Sequence, residues 1–505
     1  MSLYALSIIT ATIILFMFID YTLLSSQPTY GQSFGNLTNL SNNTGFSSNP
    51  QITTFGSNVY VVWRDNSSGN DDIYFSSSVD NGTTFNGIEN LSNNDGRSDK
   101  PQIAAVGVNV YVVWRDNSSG KDQIYFKRSS DTGNSFNTTE NLSNTNGSST
   151  DPQITATGNN AYIVWSDNTT GNGDIYFKSS TDNGTSFSFP ENLSNNDGRS
   201  DKPQIAAVGV NIYVVWRDNS SGNDDIYFSS SVDNGTTFSS PKNLSTNLDG
   251  PAFFPQVEAI GNNVYVVWQD ETPDKGRIRF RASNDNGNDF SITRVLSQEN
   301  EVNANSPQLS VSERAIYVVW EDNSRSGNNS SKNFDLLFRV GIDGGSTFTN
   351  TKILTKNPGD SFDPRTATSG ENMYAVWEDN TAGDDTSLNW EVRFRGVLYN
   401  GENTTDTKIL SENIGEVADF PQIAASESNL YVVWSDLFIR TYPGMFEIFF
   451  TYSKDEGRNF SQAVNLSSNQ GSSVLPRIAA SEDHAYIVWS DTTTGNGDIY
   501  FRSVS

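Results

Sequence analysis

The chain has 505 residues and a formal charge of −27, with 59 acidic against 32 basic side chains, a balance that disfavours nucleic acid and anionic membranes as partners. It contains no Cys and one His, His484, which excludes a disulfide scaffold, a thiol nucleophile, a Cys-ligated metal and a multi-His zinc site.

The first element is an apolar run from Leu3 to Ile19, closed by Asp20. Thr29-Tyr30-Gly31 offers a small-x-small pattern with cleavage after Gly31, so residues 1–32 read as a secretory signal peptide, although the run has no preceding Lys or Arg. An uncleaved membrane anchor over residues 3–19 is the alternative, because about 17 residues just span a bilayer. Both place residues 33–505 outside the cytoplasm, secreted or at the cell surface. N-x-S/T sequons at Asn66, Asn81, Asn90, Asn117, Asn168, Asn219 and Asn234 agree with export; an Asn- and Ser-rich turn also creates them by chance.

From there the sequence repeats. A V-W-x-D core recurs at Trp63, Trp114, Trp165, Trp216, Trp268, Trp320, Trp377, Trp434 and Trp489, at spacings that drift from 51 to 57 residues. Residues 90–141 show one unit. A strand (A) starts at Pro101, a position where proline is tolerated. Val110 to Trp114 is a β-branched and aromatic strand (B), and Ile124 to Phe126 a third (C). The fourth (D) is the Asn141-Leu142-Ser143 edge. Strand B is apolar at successive positions, so both its faces are covered. A four-stranded sheet buried on both sides and repeated about every 50 residues predicts a β-propeller. Nine W-x-D cores, nine Pro-Gln or Pro-Arg starts and nine Leu-Ser or Leu-Thr edges predict nine blades. The first edge, Leu40-Ser41, precedes the first Pro-Gln, and the chain stops after Ile499-Tyr500-Phe501. The expectation is an all-β, closed ring whose last blade is completed by the N-terminal strand, which removes an exposed edge.

After most C strands comes Ser-x-Asp-x-Gly-x-x-Phe, complete at Ser78–Phe85, Ser129–Phe136, Ser180–Phe187, Ser231–Phe238, Ser283–Phe290 and Ser453–Phe460. Gly341 replaces the Ser of a seventh copy, and the blade around Trp377 has none. The octapeptide resembles the Asp-box, or BNR repeat, of sialidase-like propellers. In that family the box is a folding element remote from the site. Here it falls in the C–D turn, on the face of the A–B turns, so any ligand belongs on the opposite face, with the D–A and B–C connections. The resemblance implies that an active sialidase would need three Arg, a Tyr–Glu pair and an Asp acid/base. Its usual Arg-Ile-Pro motif is absent; Pro476-Arg477-Ile478 has the same residues in another order.

Candidate site residues are those that break the repeat. Arg365 and Arg477 stand where the other blades carry Gln, and a clamp on a carboxylate or sulfate follows from two such groups at the channel mouth. Arg440 and Tyr442, in the connection Leu437 to Phe446, are placed to reach the same mouth. Arg64, Arg115 and Arg217 occupy equivalent positions and are discounted, and His484 beside Asp483 is a weak partner for a catalytic Ser. The acidic B–C turns offer a Ca²⁺ reading through Asp65 and Asp71, Asp116 and Asp122, Asp167 and Asp174, Asp218 and Asp224. Asx-turns explain the same pattern without a cation, and no other cofactor is expected. The functional expectation is a monomeric, exported, non-catalytic recognition or scaffold propeller with a glycan or protein ligand on the D–A/B–C face. The alternative is a sialidase-type exo-glycoside hydrolase using the irregular blades five to nine.

Overall fold

The computed structural model describes residues 33–246, 250–271, 275–297, 303–323, 333–355, 357–380, 390–412, 414–438 and 444–505. The leader or anchor at 1–32 lies outside the described residues, as do Arg440 and Tyr442. Phe34–Ser505 form one compact unit.

Nine antiparallel sheets follow one another along the chain with strand order A-B-C-D; in blade 6 an extra two-residue strand, Thr347–Phe348, also pairs with strand C. Blade 2 is representative: Ser98–Val106 (A), Asn109–Asp116 (B), Gln123–Ser129 (C) and the two-residue Glu140–Asn141 (D). In blade 9 the outer strand is Thr38–Asn39, paired with Phe501 and Tyr500. The A strands contact one another in sequence, and the first also contacts the last, so the ring is closed. The nine-bladed all-β ring is therefore as the repeat predicts.

Why this sequence closes this way is visible between blades. Val110, Tyr111, Val112, Val113 and Trp114 are all 0 % exposed. Val110, Val112 and Trp114 pack against Tyr60, Val62 and Phe75 of blade 1, while Tyr111 and Val113 pack against Ile163 and Trp165 of blade 3. Each B strand thus serves two wedges of core, which is why it does not alternate. The octapeptide locks the wedge from outside. Ser129 Oγ donates to Asp131 Oδ1 at 2.7 Å and accepts from Gly133 N at 2.9 Å. Gly133 has φ +83°, and a Cβ there would lie 2.7 Å from the Phe75 ring. Phe136 meets Phe75 of the preceding blade edge-on at 4.8 Å. In the blade that lacks the octapeptide, Gly401 (φ +67°) takes the equivalent close approach, against Val340.

The Asn-Leu-Ser edges have a local cause as well. Asn90 Nδ2 and Ser92 Oγ both donate to Asp72, at 2.8 and 2.6 Å, and Leu91 is buried between them. The box turn sits on the A–B turn (Thr132 N to Val108 O, 2.9 Å) and the B–C turn on the D–A connection (Asn117 N to Arg97 O, 3.1 Å), which assigns the two faces of the ring.

One strand boundary differs from the expectation. Strand A begins three residues before Pro101, and the ladder shifts register between Asp99 and Gln102. The proline, lacking an N–H, sits inside a β-bulge rather than at a strand start. Blade 8 differs too: Leu437 pairs with Phe446 and Phe438 with Met445, so the supposed connection from Leu437 to Phe446 is partly extended ladder.

Candidate functional site

The bulge recurs in all nine blades, and the residue before each proline is non-glycine at positive φ: Asn49, Lys100, Asp151, Lys202, Phe254, Ser306, Asp363, Phe420 and Leu475, all between +49° and +56°. A left-handed conformation costs such a residue about 1–2 kcal/mol, so the surrounding ladder holds it. In blades 1–4 the bulge residues Asn49, Lys100, Asp151 and Lys202 line one cavity. The nine bulge residues share a backbone conformation and almost nothing else, so here the repeat permits chemistry.

Blades 1–4 use the mouth for charge. Lys100 Nζ reaches Asp151 Oδ1 at 2.6 Å and Lys202 Nζ reaches Asp151 Oδ2 at 3.1 Å, linking three blades. A cavity of about 300 Å³ lies there, walled by these side chains with Asn49 and the amides of Gln51, Gln102, Gln153 and Gln204. Behind it, the variable residue of W-x-D is an ion-pair partner. Arg115 grips Asp99 with two hydrogen bonds, 2.6 and 2.5 Å, and lies 3.5 Å from Asp122. Arg217 does the same with Asp201 and Asp224, and Arg64 lies 3.5 Å from Asp71. These arginines are internally paired, in line with discounting them.

Blades 6–8 fill the equivalent positions differently. The W-x-D residue is Glu321 in blade 6 and Glu378 in blade 7. The residue just before the ladder partner of the W-x-D aspartate, Asp122 in blade 2, is Phe334, Trp390 and Phe446 in blades 6, 7 and 8. The partner of Glu378 across the ladder is Phe362, where blade 2 has Asp99. Phe334 and Phe362 have ring centroids 5.2 Å apart, and Phe362 and Trp390 6.0 Å. Glu321 Oε1 accepts the bulge N–H of Asp363 at 3.0 Å. Glu378 Oε1 accepts that of Phe420 at 2.9 Å, and the same N–H reaches Asp419 Oδ1 at 2.8 Å. Two carboxylates on one N–H crowd like charge into a half-buried site. Burial first, and then Asp419, hold the Glu378 carboxyl well above the usual range, so the pair keeps a proton at neutral pH. Burial likewise pushes Glu321 up to about 7, with the Asp363 charge adding to it.

Arg365 and Arg477 lie on the A strands of blades 7 and 9, immediately after the bulge prolines. Neither has a hydrogen bond or ion pair among the described residues. Burial lowers the Arg477 pKa, and the Arg365 charge lowers it further. The Arg365 charge also acts on Glu321, whose carboxyl pKa it lowers against the effect of burial. Arg365 and Arg477 near the starts of A strands, Glu321 and Glu378 near the ends of B strands, and Asp419 beside the blade 8 bulge all lie toward the D–A/B–C face.

The turn aspartates are committed to protein donors. Asp65 Oδ2 accepts from Asn43 Nδ2 (2.7 Å), Ser47 Oγ (2.5 Å) and Trp63 Nε1 (3.3 Å), and Oδ1 from Ser67 N (2.8 Å). Asp116 and Asp218 repeat this set, and Asp167 accepts from Thr145, Ser149 and Thr169. Asp174 accepts from Thr170 and Ser194. Among the described residues no three acidic or His side chains group as metal ligands. His484 Nδ1 lies 2.6 Å from Asp483 Oδ1, and its ring stacks on Tyr486.

The aromatic cluster and the carboxylate pair were missed from the sequence, yet a signal existed. The chain has ten Trp, and Trp390 is the one outside the nine W-x-D cores.

No family model matches the sequence, and no curated protein matches it. Similar solved structures include a polysaccharide lyase, Uly1 (10 % identity, 70 % of this chain and 89 % of that one, TM-score 0.43). An ulvan lyase bound to -[GlcA(1-4)Rha3S]- covers 86 % and 96 % at 12 % identity and TM-score 0.42. A GH93 α-L-arabinofuranosidase of Fusarium graminearum covers 59 % and 91 % at 12 % identity and TM-score 0.33. At TM-scores below 0.5 these likenesses carry no argument; the propeller is read from its own sheet topology.

Proposed function

We propose that the chain is an exported recognition propeller of the Asp-box type whose D–A/B–C face binds a saccharide bearing a single carboxylate or sulfate, clamped by Arg365 and Arg477. The observation that carries this reading is the pair of arginine side chains, Arg365 and Arg477, that stand at the same strand A position two blades apart without a protein partner among the described residues and whose like charges disfavour one another. An anion between them relieves that repulsion and gains charge-assisted hydrogen bonds. The net charge of −27 favours a ligand with one localised anionic group over a polyanion. The apolar run at residues 3–19 supports export, and six complete octapeptides support the Asp-box assignment. The double variant Arg365→Gln/Arg477→Gln restores the residue of the other seven blades, so its fold is preserved. On a panel of carboxylated and sulfated saccharides with neutral counterparts, it should lose about a hundredfold in affinity. Unchanged binding would overturn the clamp.

A second reading, a sialidase-type exo-glycoside hydrolase, is favoured by one observation: Glu378 and Asp419 crowd onto the Phe420 N–H, and burial raises the Glu378 carboxyl in the direction a general acid needs. Release of fluorophore from a sialoside panel, abolished by Glu378→Gln, would establish it; no turnover across the panel would remove it.

A further inference from the structure

We propose that Trp390, Phe362 and Phe334 form a stacking platform for a second, uncharged sugar ring of the ligand, with Glu378 beside it to hydrogen-bond its hydroxyls. The inference rests on the anionic-saccharide reading above. In blades 1, 2 and 4 the equivalent positions hold Arg–Asp pairs, so the fold is satisfied there by charge. Blades 6 and 7 give up those pairs and place three half-buried rings in their stead, at centroid spacings of 5.2 and 6.0 Å and tilts of 45° and 31°. Aromatic faces bordered by carboxylates match a pyranose, which presents an apolar C–H face and a hydroxyl edge. Phe362 and Glu378 are direct cross-strand partners, so their side chains share one side of the sheet. Arg365 follows Phe362 by three residues on the same strand, a separation of at most about 10 Å. One saccharide of two or three units therefore reaches both the platform and the clamp.

The other nine tryptophans are 0 % exposed, so acrylamide quenching of the full-length protein reads Trp390 alone. The probes are glucuronate, N-acetylneuraminate, and a trisaccharide carrying each acid at its non-reducing end. The trisaccharides should shield Trp390 from acrylamide, and the free acids should not. Trp390→Ala should weaken trisaccharide binding about tenfold and leave the free acids unchanged, while Trp390→Phe keeps the trisaccharide within about twofold. Trisaccharides that bind through Arg365 and Arg477 with quenching and Trp390→Ala affinity unaltered would overturn the platform and leave the clamp standing. Binding unaffected by the arginine double variant, or no binding of any probe, would overturn both. Should Trp390→Ala fail to fold, the Phe variant and the quenching still decide.

Discussion

Blades 1–4 and blades 5–9 share a backbone down to the strained bulge residue, and they spend its side chains in opposite ways. In the first group the mouth is neutralised internally: Lys100, Asp151 and Lys202 bridge three blades, and Arg115 and Arg217 are held by carboxylates. In the second, arginines stand without a described partner, carboxylates are crowded onto one N–H, and aromatic rings replace ions. Interchangeable sectors satisfy themselves, and the proposed clamp draws on sectors that do not.

The buried W-x-D aspartate sharpens the contrast most. Asp218 in blade 4 is pushed up by burial, but hydrogen bonds from Ser200, Ser220 and Asn196 outweigh this and hold it below the usual range. In blade 8, Ala418 stands in place of that serine; burial, with the Glu416 charge, outweighs the hydrogen bonds from Trp434 and Gly415 and raises Asp436 to about 7. Asp218→Asn sets a donor against donors and should cost about 3 kcal/mol in urea denaturation at pH 7. Asp436→Asn should have the opposite sign at high pH. The folded pKa of Asp436 lies above its unfolded value, so its contribution is present below about pH 4 and lost as pH rises through 7. The variant should therefore be more stable than wild type at pH 8 and lose the advantage at pH 4; equal curves across that range would break the comparison.

A smaller effect separates two arginines. Arg115→Gln leaves the nearly buried Asp99 without its bidentate partner and should cost about 1–2 kcal/mol by the same measurement. Arg477→Gln removes a repelled, desolvated charge and should melt no lower than wild type. Smallest is Lys202→Ala: Lys202 is exposed and the half-buried Asp151 keeps Lys100, so the loss should stay below about 1 kcal/mol and shrink in high salt. Melting curves with Ca²⁺ and with chelator should coincide, because the turn aspartates already have their donors.

Most of the architecture was legible because it rests on residues that must repeat. A Trp facing one wedge and a buried Asp closing the B–C turn are local requirements, renewed in every blade, and the spare Leu40-Ser41 edge announced the closure. The bulge was not legible, since a proline reads the same at a strand start as inside a register shift; only the cross-strand pairing distinguishes them. The site was half legible. Arg365 and Arg477 stood out as departures from Gln, but their proximity across blade 8 is a property of the closed ring. The sharing of the Phe420 N–H by Glu378 and Asp419 joins residues 41 positions apart, and Trp390 meets Phe334 through Phe362 only because strands A and C of neighbouring blades converge at the mouth. Periodic burial is written along the chain, residue by residue. Convergence of irregular side chains is set by which blades become neighbours, and that is decided when the ring closes.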